Sequence, residues 1–432
     1  MSRRLVVAAL LGVTTAASPI ARGDDAADIA ALRSRVEALE KRADDPPVRV
    51  GGYAQVDWTI ADQQSQNEIN WSTGQPLNND RFTLRRGHLR AEAERGLFSS
   101  ALEIDANTVN GPQVRPIDAE VRFGWPARRP EGSPWFDGTL GLMKIPFGFE
   151  VPELDYVRPF LERASVLRAL FPGEFDLGLR LRGQWRWLDY QLALMNGHPI
   201  GEPSFPGRDP LKSKDMVGRL GVDTELFDGL RLVAGASAVT GTGFHQGTPP
   251  TKDVLVWRDV NEDGIVQPTE IQVLPGQAAT ASQEFHRFAL GGDVRLLARI
   301  PGLGELALRA ELLWATNMDR GLVVADPIAV GRDLRELGWY VGATQELGRH
   351  VMVGVRYDRY DPDSDAASQR AMNLVPADLT FSTLALMAMV HQDLQRLVLE
   401  YDRNGNALGR DVTGGPTTLA ADTVTLRGQV AF

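Results

Sequence analysis

From Val48 to Phe432, polar and apolar residues alternate in segments of about ten, and this period of two constrains the chain more than any other feature. Alternation sends successive side chains to opposite faces of a β-strand, so each segment has one apolar and one polar face. In 81–95, Arg86, His88, Arg90, Glu92 and Glu94 share one face, and Gly87, Leu89, Ala91 and Ala93 the other. In 177–187, Leu177, Leu179, Leu181, Trp185 and Trp187 lie opposite Arg180, Arg182, Gln184 and Arg186. The last segment sets Val424, Leu426, Val430 and Phe432 against Thr423, Thr425, Arg427 and Gln429.

The pattern predicts strands at 48–60, 81–95, 100–109, 117–126, 137–148, 177–187, 190–198, 215–226, 230–241, 285–299, 306–317, 335–347, 351–361, 380–391, 395–405 and 420–432, sixteen in all. Short turns at 96–99, 188–189, 227–229, 300–305, 348–350 and 392–394 alternate with long connections at 61–80, 149–176, 199–214, 242–284, 318–334, 362–379 and 406–419. An even strand number, with short turns at one end and long loops at the other, is the pattern of a single-chain outer-membrane barrel. No segment after the N-terminus is apolar enough for a spanning helix, which leaves a barrel as the route into a membrane. A soluble sandwich or propeller would also alternate, but charges this dense need water on their side of the sheet. Tyr53, Trp58, Trp125, Trp185, Trp187, Trp314, Trp339 and Tyr401 fall near strand ends, as interfacial girdle residues do.

The predicted fold is all-β: a sixteen-stranded antiparallel transmembrane β-barrel over 48–432, preceded by a signal peptide and a short coiled-coil helix. Arg3 and Arg4 lead an apolar run from Leu5 to Ala17, and small residues including Ala21 and Gly23 follow, so 1–23 reads as an export signal. In 28–42, Ile29, Leu32, Val36 and Leu39 are spaced 3, 4 and 3 apart, the seam of a short periplasmic coiled coil. The 43–47 segment, with Pro46 and Pro47, is a stiff linker. With no Cys, disulfides, thiolate metal sites and a cysteine nucleophile are excluded. A net charge of −10 argues against a nucleic-acid partner. The six His are scattered and no H-E-x-x-H, G-x-S-x-G or P-loop occurs, so no enzyme chemistry is expected.

Three elements and the C-terminus carry a family resemblance. They are RFTLRRGHLRAEAERGLFS at 81–99 with its Arg85–Arg86 pair, LGLMKIPFGFE at 140–150, and FLERASVLRALFPGEFDLGLRLRG at 160–183. In this order they resemble the phosphate-selective porin O/P family of Gram-negative outer membranes. That resemblance implies a sixteen-stranded homotrimer in the bacterial outer membrane, a third outer loop folded into the lumen, and a passive pore for anions. The terminal Phe432, with apolar residues at alternate positions before it, resembles the signal read by the barrel-assembly machinery.

With the polar face turned inward, the candidate pore-lining bases are Arg86, Arg90, Lys144, Arg180, Arg182, Arg186, Arg219, Arg295 and Arg309, with Arg122, Arg287, Arg356, Arg396 and Arg427 on the same face. Arginine stays charged and grips phosphate or carboxylate as a planar fork, so a ladder such as Arg180, Arg182 and Arg186 would lower the barrier for an anion. Acids on the same face, among them Glu92, Glu103, Asp118, Glu120, Asp293, Glu311, Asp358 and Glu400, would neutralise part of it. The candidate constriction loop, 149–176, carries Glu150, Arg158, Glu162, Arg163 and Arg168 within a set of six acids and three bases. An acidic loop facing basic walls makes a transverse field, as in a general porin. The expected function is passive diffusion of small anions, phosphate or polyphosphate among them, across a lipid bilayer. The alternatives are a weakly selective diffusion porin, or a plugged structural or adhesion barrel.

One motif stands outside this picture. Residues 259–270, DVNEDGIVQPTE, follow the D-x-[DN]-x-[DN]-G-x₅-E pattern of a calcium loop. Asp259, Asn261 and Asp263 would give side-chain oxygens, Ile265 its carbonyl, and Glu270 both carboxylate oxygens, with Gly264 at the sharp turn. The flanking LVWR and IQVLPG look extended rather than helical. The expected role is a structural Ca²⁺ in a long outer loop; the pore itself needs no cofactor.

Overall fold

The computed structural model describes residues 48–61, 80–109, 111–125, 136–199, 209–370, 373–377, 379–406, 409–410, 416–417 and 421–432. The expected export signal, coiled coil and linker lie outside them. The strands are β1 (Arg49–Ala61), β2 (Arg81–Arg95), β3 (Phe98–Asn107), β4 (Gln113–Trp125), β5 (Phe136–Lys144), β6 (Phe175–Trp185), β7 (Leu188–Met195), β8 (Asp215–Phe227), β9 (Leu230–His245), β10 (Val254–Trp257), β11 (Ile271–Leu274), β12 (Gln283–Ile300), β13 (Gly304–Thr316), β14 (Arg335–Glu346), β15 (Val351–Asp361), β16 (Ala367–Arg370), β17 (Asn373–Pro376), β18 (Phe381–Gln392), β19 (Gln395–Asn406), β20 (Gly409–Arg410), β21 (Pro416–Thr417) and β22 (Ala421–Ala431). Two short helices, α1 (Ser165–Leu170) and α2 (Pro327–Val330), lie in loops.

Sixteen of the strands close an antiparallel barrel in the order β1 to β9, β12 to β15, β18, β19 and β22. The last strand returns to the first, from Tyr53 opposite Ala431 to Ala61 opposite Thr423. Closure leaves no unpaired edge, which is what a spanning sheet requires. The small pairs β10–β11, β16–β17 and β20–β21 belong to the connections at the long-loop end.

The outer face is apolar and exposed along every barrel strand: Val353, Val355 and Tyr357 on β15, Leu397 and Leu399 on β19, Leu308 and Leu312 on β13. An apolar belt this continuous is not tolerated in water and is the surface that hydrocarbon wets. Trp58, Trp125, Trp185 and Trp314 stand exposed on it. Tyr53 does not: it turns inward and packs against His88 and Tyr156, with ring centroids 4.4 and 5.2 Å away. It braces the inserted loop, and its place near a strand end hides which way it points.

The interior departs from the expected polar, water-filled lumen. Ala193, Met195, Val217, Val239, Ala289, Leu313, Ala315, Tyr340 and Tyr360 point inward from the wall and form one buried cluster with Phe147, Phe149, Val151, Val166, Leu167, Leu170 and Phe171 of the β5–β6 connection. A second cluster joins Phe160 and Leu161 of that connection to Ala385, Met387, Met389 and Val398. The third outer loop is therefore a packed filling with its own core. Each large apolar side chain so buried stabilises the seating by roughly 1.5–3 kcal/mol.

The longest outer connection, between β9 and β12, continues its hairpin as an arm. Thr280 N–H donates to Thr248 O at 3.0 Å, Thr251 N–H to Gln277 O at 3.0 Å, and Arg258 N–H to Glu270 O at 3.1 Å. All eight residues of β10 and β11 are exposed, and 259–270 forms the tip.

Candidate functional site

The inserted loop begins at the element Lys144–Ile145–Pro146–Phe147–Gly148–Phe149–Glu150, and the structure gives each residue a job. Ile145 N–H extends the β5–β6 ladder to Glu174 O at 2.9 Å. Lys144 Nζ donates to Glu153 O at 2.6 Å and pairs with Glu174 at 2.9 Å, closing the loop's two stems. Phe147 fills a hole left by Gly291 of β12, where a Cβ would lie 2.9 Å from the ring. Gly148 has φ +61°, and a Cβ there would lie 2.6 Å from the Glu311 carboxylate, so only glycine fits. Glu150 reaches Arg356 at 3.5 Å.

The wall grips the loop by its main chain. Glu311 of β13 accepts from the amides of Glu150 at 2.8 Å and Phe149 at 3.2 Å. Asp358 of β15 accepts from Ser165 N–H at 3.3 Å, and Glu400 of β19 from Leu161 N–H at 3.0 Å. In the other sense, Arg356 donates to Glu162 O at 2.8 Å, Arg427 to Leu161 O at 2.8 Å, Arg396 to Arg158 O at 3.2 Å and Gln429 to Tyr156 O at 3.0 Å. These are hydrogen bonds with an ionised or amide partner inside a low-dielectric filling, where leaving either side unmatched is costly.

Many of the wall bases named from sequence are thus spent on the loop. Arg86 meets Asp155 at 3.4 Å and Glu162 at 3.5 Å. Glu162 also takes Arg85 at 2.7 Å and Arg427 at 3.2 Å. Arg309 pairs with Glu153 at 3.0 Å, and both it and Arg295 lie over the Phe149 ring, at 5.8 and 4.6 Å. Arg219 is spent within the wall, forking onto Asp293 of β12. Within the loop, Arg158 pairs with Asp155 at 3.0 Å, Arg163 with Glu174 at 3.1 Å, and Arg168 donates to Ser165 Oγ at 3.3 Å. The six acids do face basic groups, but mostly in direct contact, which removes much of the transverse field.

Arg186 does not belong to the ladder. Strand β6 ends at Trp185, and Arg186 sits in the turn with φ 58°, its guanidinium 5.4 Å from the Trp185 ring. The strand stops two residues earlier than the alternation suggests, and the turn carries the side chain out of the inward row.

A sector of wall on β2 to β6 keeps open charge. Arg122 of β4 and Arg180 of β6 stand level on either side of Thr139 of β5, about 10 Å apart at two strand spacings. Arg182 stands opposite Asp137, one step away. Here the carboxylates are sunk into the wall and the longer guanidiniums reach past them. Arg182 is 41% exposed and its partner Asp137 9%; Arg122 is 29% exposed and Glu120 1%; Arg90 is 24% exposed and Asp118 10%. Glu92 is the exception: it is 45% exposed and takes Arg90 at 2.6 Å. Arg180 itself is buried, donating to Lys144 O at 3.3 Å.

At the tip of the outer arm, Asp259 accepts from the amides of Asp263 at 3.2 Å and Gly264 at 2.8 Å, Asn261 from Asp263 N–H at 3.1 Å, and Asp263 from Ile265 N–H at 2.8 Å. Gly264 has φ +72°. Glu270 takes Trp257 Nε1 at 3.1 Å and Val260 N–H at 3.2 Å, and these donors hold its carboxyl below the usual range. Among the described residues, no three His, Asp or Glu side chains converge as metal ligands.

No family model matches the chain, and no curated protein does. Solved structures do. The outer membrane channel DcaP of Acinetobacter baumannii superposes with a TM-score of 0.54 at 10% identity, over 89% of this chain and 97% of that one. The high-pH structure of Pseudomonas putida OprB superposes with a TM-score of 0.53 at 12% identity, over 92% of this chain and 96% of that one. At such identities the likeness is one of fold.

Proposed function

We propose that the chain is a passive diffusion channel of the bacterial outer membrane that passes small anions along the β2–β6 wall beside the seated loop. One observation carries the reading: in that sector the guanidiniums of Arg122 and Arg182 are open while Glu120 and Asp137 are sunk. A solute in the remaining space meets cationic tips before carboxylates, and each site is weak enough to release it. The fold shared with an outer membrane channel supports conduction. The family resemblance of 81–99, 140–150 and 160–183 supports phosphate among the solutes and a homotrimer as the assembly. The extensive pairing, and the open Glu92, favour modest rather than strict selectivity.

Reversal potentials in planar bilayers under a KCl gradient test this. The protein is expected to prefer Cl⁻ over K⁺, and the double variant Arg122→Glu, Arg182→Glu to prefer K⁺. Cation preference in the unaltered protein would reject the anion reading. Chloride current that millimolar phosphate fails to block would make it a general porin. Inserted protein without current would make it a plugged barrel.

The arm tip is proposed to take one Ca²⁺, with Asp259, Asn261, Asp263, the Ile265 carbonyl and Glu270 as donors. The turned-in carboxylates and the positive φ of Gly264 support this, and Glu270 must leave Trp257 to close the site. Trp257 is close enough to sensitise bound Tb³⁺. Terbium emission displaced by Ca²⁺, and slower proteolysis of 246–282 with Ca²⁺, are the expected results; the absence of both responses would overturn the site.

A further inference from the structure

A second feature lies at the short-turn end of the barrel, on β18, β19 and β22. A notch of about 380 Å³ at the barrel rim is lined by His350, His391, Gln392, Gln395, Arg396 and Gln429 together with the outward-facing Val390 and Leu397. Among the described residues lining it there is no carboxylate. That is unusual in this lumen, where Arg86, Arg90, Arg219, Arg309 and Arg427 each touch an acid.

The sheet places these groups in a row. His391 of β18 is the cross-strand partner of Arg396 of β19, which is the partner of Gln429 of β22. The row therefore spans three adjacent inward positions about 5 Å apart. The β14–β15 turn brings His350 beside it: His391 N–H donates to His350 O at 2.8 Å. Arg396 uses one terminal nitrogen on Arg158 O at 3.2 Å, and no carboxylate lies within ion-pair distance of it among the described residues. Its Nε, and Nε2 of His391, are buried atoms without a hydrogen-bond partner. The Nε atoms of Arg158, Arg295, Arg309 and Arg356 are likewise without a partner, so what sets this place apart is the lack of a carboxylate beside Arg396.

We infer that this notch is an oxyanion seat at the periplasmic mouth, taking phosphate or a small carboxylate. Arg396 supplies the charge through its second terminal nitrogen and the imidazoles of His391 and His350 flank it, while the amides of Gln429 and Gln395, used on Tyr156 O, Leu394 O and Ala431 O, only frame the seat; the volume suits a small anion with part of its hydration. The seat is separate from the open guanidiniums of β4 and β6, and its occupancy does not depend on current through the barrel.

Equilibrium binding of inorganic phosphate to the full chain in detergent, followed by ³¹P line broadening or calorimetry, tests it. Saturable binding of one phosphate per chain is expected. Arg396→Gln is expected to weaken it at least about tenfold, in keeping with the loss of a charge-assisted hydrogen bond. His391→Phe, which leaves the Arg396 contact with the loop intact, is expected to weaken it severalfold. Arg182→Gln is expected to leave it unchanged. Absence of saturable binding in the unaltered protein would overturn the seat. So would loss of binding in Arg182→Gln with retention in both Arg396→Gln and His391→Phe, which would move the anion to the β2–β6 wall. Because binding is read without conduction, a channel that proved cation-selective or closed would leave this result standing on its own.

Discussion

Leucine in place of Gly338 is expected to drive the inserted loop out of its seat and raise single-channel conductance severalfold. Gly338 faces inward from β14, and a Cβ there would lie 2.5 Å from two atoms of Val166 in α1 and 3.1 Å from the Tyr360 ring. The wall cannot yield, because Gly338 is paired to Leu313 on one side and Tyr360 on the other within a closed barrel. Overpacking by a methylene or two already costs about 1–3 kcal/mol, and leucine adds four carbons. The outward Gly292 of β12 has nothing within 4 Å of its Cβ position, so Gly292→Leu is the control and is expected to conduct like the unaltered protein. Trypsin cleavage at Arg163 and Arg168, both on the loop, is expected in Gly338→Leu alone. Unchanged conductance and protection in a folded Gly338→Leu barrel would show that packing does not hold the loop.

The other large effect is expected from Arg356→Met. The Arg356 guanidinium is buried, 3.5 Å from Glu150 and 3.7 Å from Asp358, lies 4.8 Å from the Phe160 ring, and donates to Glu162 O. Methionine fills similar space but leaves Glu150 and Asp358 without their counter-charge. Breaking a buried ion pair from one side costs about 3–5 kcal/mol. Loop release at a lower temperature, read by protease sensitivity on heating, is the expected outcome. Adding Glu150→Gln removes one stranded charge and is expected to restore part of the loss, because the two positions are coupled. Equal stability of Arg356→Met and the unaltered protein would show that the cluster contributes little to seating.

The barrel itself was legible because alternation is a direct physical record of two solvents: each of the sixteen predicted strands overlaps one strand of the closed sheet. What alternation could not reveal is what fills the inside. Ala385, Met387 and Met389 sit at inward positions of β18, yet the run LALMAMV is apolar at both parities. That loss of polarity, repeated in ELLWAT of β13, was the available sign that protein covers those inward positions. Inward glycines gave a second sign. Gly291, Gly338 and Gly354 interrupt otherwise substantial rows, and they lie against Phe147, Val166 and Phe160. The loop residues Glu150, Arg158, Glu162 and Arg163 were identifiable as charged, but not their partners, because pairing across a lumen follows from the loop's path and not from its spacing. Arg186 shows the smaller error: the face of a residue at a strand end depends on where pairing stops.

Where the wall holds its guest by amide and carbonyl groups, it is indifferent to the side chain carried there. Glu311, Asp358, Glu400, Arg356 and Arg427 recognise a path of backbone, while the apolar side chains of the two buried clusters and the acids paired with wall arginines are fixed by shape and charge. Positions of that segment outside these clusters and ion pairs are therefore free to drift, so a lineage could retune what passes without refolding the closure. The same tolerance makes the segment a natural cassette for grafting new permeation properties onto an unchanged cylinder.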